Sequence, residues 1–212
     1  MKIEIQNLSK SFGDNKVLQG VNLLIEKNKS TIILGKSGCG KSVLLKLIYQ
    51  LIQIDDGHIL YDEKKDVDID RFGMLFQYGA LFDSLTVGEN IAFIDYINNK
   101  LNFRNKVANS LKEVGLNPDI HQKYPSEISG GMKKRVALAR AIYKKPNVIF
   151  LDEPTTGLDP QARRNFWSLI RNIKKKGKTI LLTTHYMEEA ELLCDQLVIM
   201  DKGKIIEDGS PT

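Results

Sequence analysis

The spacing of hydrophobic residues changes period several times along the chain, and each change marks a new element. Near the start, Ile3 and Ile5 alternate with Lys2, Glu4 and Gln6, which predicts a half-buried strand over residues 2–8. Further strands are predicted over 16–25, 30–34, 58–61, 72–76, 147–151, 179–183 and 196–200. Turn residues punctuate them, as in Phe12-Gly13-Asp14-Asn15, Asp55-Asp56-Gly57 and Asp201-Lys202-Gly203. A helical period is seen over 43–51, 160–175 and 187–193. The early strands are joined by short turns, which predicts antiparallel pairing. The later ones alternate with helices, which predicts parallel pairing through right-handed crossovers.

Residues 87–144 show no strong strand pattern. Val107, Leu111 and Val114 fall on one helical face over 104–114, and Val136, Ala139, Ala141 and Ile142 do so over 130–143. Pro118 and Pro125 break the chain between these helices. The expectation is one domain over 1–212: an α/β core (1–86 and 145–212) with an antiparallel β edge layer and an inserted helical subdomain (87–144).

Composition narrows the class. With 212 residues, 42% hydrophobic and 27% charged, the chain suits a soluble globular domain. Its apolar runs fall far short of the roughly 20 residues that cross a bilayer, and no signal peptide is visible. Cys39 and Cys194 suggest reduced thiols and not a disulfide framework. The net charge of +5 permits anionic partners without selecting one, and Lys133-Lys134-Arg135 and Lys174-Lys175-Lys176 are expected to be solvated helix faces or ends. His58 and His121 have no supporting context, and Trp167 is expected in the core.

Chemistry enters with Gly35-Lys36-Ser37-Gly38-Cys39-Gly40-Lys41-Ser42, which fits the phosphate-binding loop pattern and lies between a predicted strand and a predicted helix. Glycines there let successive N–H groups turn inward on an anion, and the helix N-terminus adds partial positive charge. Lys41 suits the β- and γ-phosphates, Ser42 suits Mg²⁺, and the loop through Val43 forms the expected nucleotide cradle. Val148-Ile149-Phe150-Leu151-Asp152-Glu153 then carries two acids to the carboxyl end of a buried strand. Asp152 is placed to hold Mg²⁺ and Glu153 to deprotonate a water. Ser129-Gly130-Gly131, opening a helix, can present free N–H groups to another anion; on its own this signal is weak.

Together these motifs resemble the ATP-binding cassette (ABC) family over nearly the whole chain. The resemblance implies a P-loop NTPase (RecA-like) core. Ser129-Gly130-Gly131 matches the family's signature, with Ile128 and Met132 in place of its usual Leu and Gln. It further implies that Phe12 stacks on adenine and that Gln77 senses Mg²⁺ and the attacking water. Asp159, in Gly157-Leu158-Asp159, would couple two sites of a dimer, and His185 would contact the γ-phosphate. The implied activity is ATP hydrolysis with Mg²⁺, between two chains paired head to tail, driving a separate membrane permease from the inner face of the cell membrane. Homodimerisation is expected, because every half-site element is present.

Gly79-Ala80-Leu81-Phe82-Asp83-Ser84-Leu85-Thr86-Val87 resembles the corresponding segment of phospholipid-transport ATPases, which would add a lipid-binding periplasmic component. Thr184-His185-Tyr186-Met187-Glu188-Glu189-Ala190 also resembles drug and polysaccharide exporters. A non-transport cassette ATPase acting on nucleic acid or the ribosome is the remaining alternative, and no direct nucleic-acid contact is expected. Many relatives continue past the position of Gly209-Ser210-Pro211-Thr212.

Overall fold

A computed structural model describes residues 1–100 and 103–210; Pro211 and Thr212, and two positions of the expected helical subdomain, lie outside them. Strands β1 (Ile3–Phe12) and β2 (Asn15–Ile25) form an antiparallel hairpin. The chain then leaves that sheet. β3 (Ser30–Leu34) runs into helix α1 (Lys41–Ile48), and β4 (Asp56–Tyr61) returns to the far side of β1. This first sheet has the order β2-β1-β4.

The second sheet is built from β3 with β5 (Phe72–Leu75), β6 (Val148–Asp152), β7 (Thr179–Thr184), β8 (Gln196–Asp201) and β9 (Lys204–Gly209), in the order β5-β6-β7-β3-β8-β9. All its pairs are parallel except the β8–β9 hairpin. Two of the sequence expectations change here. β3 does not belong with the early antiparallel strands: its five residues are all buried, as a central parallel strand covered on both faces requires. β9 was not anticipated beyond the turn that starts it, in which Lys202 and Gly203 both take positive φ (43° and 76°), the geometry of a two-residue hairpin.

Between β5 and β6 lie α2 (Val87–Ile91), α3 (Phe93–Ile97), α4 (Arg104–Glu113) and α5 (Gly130–Ile142). The first two were not anticipated, although α2 has a capping box: Thr86 accepts from the Glu89 N–H while the Glu89 carboxylate accepts from the Thr86 N–H. Pro118 and Pro125 do more than interrupt, since each starts a short 3₁₀ turn, where a missing N–H costs nothing. After β6 come α6 (Pro160–Lys174) and α7 (Met187–Leu193). Helix α1 ends three residues before the expected Leu51, because Gln50 turns left-handed (φ 61°) and the Leu51 N–H bonds back to the Lys46 carbonyl.

Alternate residues of each central strand serve opposite cores. Ile32, Ile149, Leu151, Ile180 and Leu182 face α2, α4, α5, α6 and α7. Ile33, Phe150, Leu181 and Val198 face α1 and the first sheet. Phe150 is fully buried, edge-on to Tyr49 and Phe72 at 5.6 and 5.2 Å; burying such a ring contributes about 2–3 kcal/mol. This double burial fixes the carboxyl ends of β3, β6 and β7, from which the functional side chains emerge.

Candidate active site

The loop leaving β3 turns through Gly38 (φ 79°) and Gly40 (φ 108°), angles that a side chain resists. Gly35 needs to be glycine for a different reason: a Cβ there would strike the Met200 carbonyl oxygen and the Cys39 sulfur. No atom lies within 4 Å of a Cβ placed on Gly38, so the outer side of the loop is open. Lys36 and Ser37 are exposed beside it, and Val43 is half-buried on the first turn of α1. The loop therefore presents a cradle suited to a phosphate chain at the N-terminus of α1.

Lys41 is buried, and its ammonium donates to the Gly35 and Lys36 carbonyls at 2.8 and 3.0 Å. It also lies 3.5 Å from Glu153 Oε1. The Ser42 hydroxyl donates to Asp152 Oδ1 at 2.8 Å, and the Thr183 hydroxyl donates to the same oxygen at 2.7 Å. A hydroxyl and a carboxylate that converge on one point form a hard oxygen set that fits Mg²⁺.

Glu153 follows directly after β6 with φ 42°, an unusual angle for a residue with a side chain and one that costs about 1–3 kcal/mol. Two bonds impose it: the Glu153 N–H donates to the Thr183 carbonyl and to the Thr183 hydroxyl, both at 3.1 Å. Its carboxylate is thereby aimed at a ring of partners. Oε2 accepts from Gln77 Nε2 and from the Thr156 hydroxyl, each at 3.2 Å, and lies 3.4 Å from His185 Nδ1. The structure thus gathers Lys41, Ser42, Gln77, Asp152, Glu153 and His185 from four separate segments. A cleft of about 340 Å³ opens alongside, lined by Gly35, Lys36, His185, Met187 and Asp201 among others.

The remaining expected residues are not in this cluster. Phe12 is an exposed ring at the end of β1, with the Lys10 ammonium 5.3 Å from its centroid. Ser129 caps α5 by accepting from the Met132 N–H at 3.3 Å, and nothing lies within 4 Å of a Cβ placed on Gly130 or Gly131. Asp159 caps α6, accepting from the Gln161 and Ala162 N–H groups at 3.0 and 2.9 Å.

Sequence reasoning missed several contacts. Lys134 is not on a solvated face: its ammonium donates to the Gln77 carbonyl, and burial lowers its pKa despite the nearby carboxylates of Asp152, Glu153 and Glu189. Arg140, one helical stretch along, donates to the Gly79 and Ala80 carbonyls at 2.6 Å each. Together these two hold the backbone of 77–80, leaving the Tyr78 ring 87% exposed. Glu189, wholly buried on α7, was also missed. It accepts from the Trp167 indole N–H at 2.8 Å and the Thr155 hydroxyl at 3.0 Å, and burial pushes its pKa up. No local spacing marks either residue, because each partner comes from a distant segment. Trp167 is in the core, as expected, and both cysteines are free thiols.

Comparison with known proteins shows the family and the fold. Residues 18–156 match the ABC transporter family. The glutamine transport ATP-binding protein GlnQ of Escherichia coli (strain K12) is 38% identical, over 99% of this chain and 91% of its own length. The Nod factor export ATP-binding protein I of Burkholderia lata is 37% identical, over 99% of this chain and 71% of its own. A solved dimer of the ATP-binding cassette MJ0796, in a post-hydrolysis state bound to ADP and Pi, superimposes with a TM-score of 0.87 at 26% identity, covering 98% of each chain.

Proposed function

The chain belongs to the ABC transporter family, and we propose that it is the ATP-hydrolysing subunit that drives a separate membrane permease, working as a pair of identical chains. It is an ATPase that uses Mg²⁺. The observation that carries the mechanistic reading is the convergence of Lys41, Gln77, Thr156 and His185 on the one carboxylate of Glu153.

ATP lies with its phosphates in the Gly35–Ser42 cradle. Lys41 neutralises the β- and γ-phosphates, and Phe12 offers its exposed ring to the adenine. Ser42 and Asp152 would hold Mg²⁺, assisted by Gln77, and the ion supplies charge screening for the phosphates. Glu153 accepts a proton from a water oriented by Gln77. That oxygen bonds to the γ-phosphorus as the bond to the β-phosphate oxygen breaks, giving ADP and phosphate. His185 supports the γ-phosphate. The bare N-terminus of α5, with Ser129, Gly130 and Gly131, closes over the nucleotide held by a second copy, and Asp159 lies at the same junction. ATP then favours the closed pair, and hydrolysis releases it.

In the same reading, residues 1–86 and 145–212 form the catalytic core and 87–144 the helical subdomain, and the groove between them meets the permease at the inner face of the cell membrane. The exposed Tyr78 and Phe82 offer a docking edge. None of the described helices is long and apolar enough to cross a membrane.

The cargo is a finer matter. The likeness of Gly79–Val87 to phospholipid-transport ATPases supports a phospholipid and a lipid-binding periplasmic partner. The two curated relatives named above are instead a glutamine transport ATP-binding protein and a Nod factor export ATP-binding protein. Pull-down of the tagged chain from gently solubilised native membranes, with partners identified by mass spectrometry, tests the whole reading. A multi-span permease with a lipid-binding component supports phospholipid. A permease with a small-solute receptor, or with no receptor, moves the cargo to a polar solute or an exported compound. Recovery with ribosomes or nucleic acid alone overturns the transporter role and leaves the ATPase intact.

A further inference from the structure

Glu189 has no part in the chemistry described so far, yet it is fully buried, bonded to Thr155 after β6 and to Trp167 on α6, and carried on the helix that follows His185. The Thr155 hydroxyl donates to Glu189 Oε1, and the next residue, Thr156, donates to Glu153 Oε2 at 3.2 Å. In the other direction, Glu189 lies on α7, whose N-cap is Tyr186, and the adjoining His185 lies 3.4 Å from the same Glu153 oxygen. The His185 and Tyr186 rings pack with centroids 4.1 Å apart, and the Arg163 guanidinium covers Tyr186 at 4.0 Å. The path from Glu153 through Thr156 and Thr155 to Glu189, and back through Tyr186 and His185, is a closed circuit.

A buried carboxylate is costly unless it is fully bonded. Here Glu189 Oε2 has no partner among the described residues, and neither has the buried Nε of Arg163. A group chosen only for packing would have been apolar. Glu189 Oε1 accepts two donors instead, one from the segment after β6 and one from α6, and so ties both to α7.

We propose that Glu189 is a positioning residue for hydrolysis: its Oε1 holds Thr155 and Trp167 against α7 and thereby sets the approach of His185 to Glu153. This rests on the reading of Glu153 as the base. Lys41 meets the circuit only at Glu153 Oε1, and its bonds to the Gly35 and Lys36 carbonyls lie outside it, so the defect falls on turnover more than on nucleotide affinity. Trp167, the sole tryptophan, donates to the same oxygen and reports on the circuit by its emission.

The test compares Glu189→Ala, Glu189→Gln and Thr155→Val in the purified full chain, with kcat, KM for ATP, melting temperature and Trp167 emission with and without ATP. Glu189→Ala is expected to lower kcat about tenfold or more with KM within about twofold, and to abolish the ATP-dependent emission change expected of the parent. Glu189→Gln keeps an acceptor oxygen of the same reach and is expected to recover kcat to within about threefold. Thr155→Val, close to isosteric, is expected to lower kcat in the same sense and decides the matter should Glu189→Ala fail to fold.

Parental kcat in Glu189→Ala, or in Thr155→Val if the alanine variant does not fold, overturns the proposal. So does a loss confined to KM, or a glutamine variant as impaired as alanine. Glu153→Gln is measured in parallel. If it retains ordinary turnover, the assignment of the base falls and this inference falls with it. If it is inactive while Glu189→Ala is normal, only the role of Glu189 is lost.

Discussion

Two glycine-bearing helix N-termini in this molecule are held in opposite ways. At α1 the loop is locked in place: Gly35 sits against Met200, and the Lys41 ammonium is bound by two loop carbonyls and near Glu153. At α5 the loop is bare: Ser129 makes one capping bond, and the space beside Gly130 and Gly131 is empty. In the proposed reading, residues that hold phosphate within one chain are pre-organised by that chain's own core, whereas residues that wait for another chain's nucleotide carry no such support and lose nothing in the monomer by its absence.

The comparison is sharpened most by Glu153→Gln. It should keep ATP binding and lower kcat by about 10²–10⁴-fold, with ATP-bound dimer accumulating on size-exclusion chromatography. Ordinary hydrolysis in that variant would remove the base from the scheme. Gly130→Asp addresses the bare loop. A carboxylate there suits the helix dipole, so the melting temperature should hold or rise slightly, while repulsion of phosphate reduces ATP-induced dimerisation about tenfold or more. Dimerisation at the parental level would show that this helix end does not meet nucleotide.

Gly35→Ala probes the locked loop and should do the reverse. The added methyl overpacks against Met200 and Cys39, so thermal unfolding should show a loss of about 1–3 kcal/mol along with weaker ATP binding. Full stability would mean that the loop is not held by β8.

The smallest effect is expected away from both loops. Asp95 is desolvated, which opposes ionisation, but hydrogen bonds from Lys144 at 2.6 Å and Tyr143 at 2.7 Å, with Lys100 close by, win and bring its pKa down to about 2 from 3.8. Because the folded value is the lower one, its contribution is complete above the unfolded value and is lost as pH falls through the folded one. The stability gap between the parent and Asp95→Asn should therefore close between about pH 4 and pH 2 in denaturant titrations. A gap that stays constant over that range would exclude the ion cluster as its source.

Legibility in the sequence followed the range of the interaction. The phosphate loop, the strand ending in Asp152-Glu153 and the cap at Ser129 are local patterns, and α7 was expected with its observed limits of Met187 and Leu193. The capping box at Thr86 and Glu89 and the two-residue turn at Lys202-Gly203 were equally local but were not read through to α2 and β9. Lys134 was read as solvated because its helix neighbours are basic; only the return of 77–80 against α5 desolvates it. Thr183 looked like one more residue of a buried strand, yet it bonds both Asp152 and the strained Glu153.

By itself, then, the sequence determined the short-range matters. These were which segments are strands or helices, where a phosphate can sit on consecutive backbone N–H groups, and which residue types are available for hydrolysis. Tertiary structure decided which sheet β3 enters, which oxygens of Asp152 and Glu153 meet which donors, and that Glu189 ties Thr155 and α6 to α7. The reason is physical: backbone geometry and capping act within a few residues. Pairing between strands far apart in the chain, and the cost of leaving a buried polar atom unbonded, act only once the whole chain has closed around them.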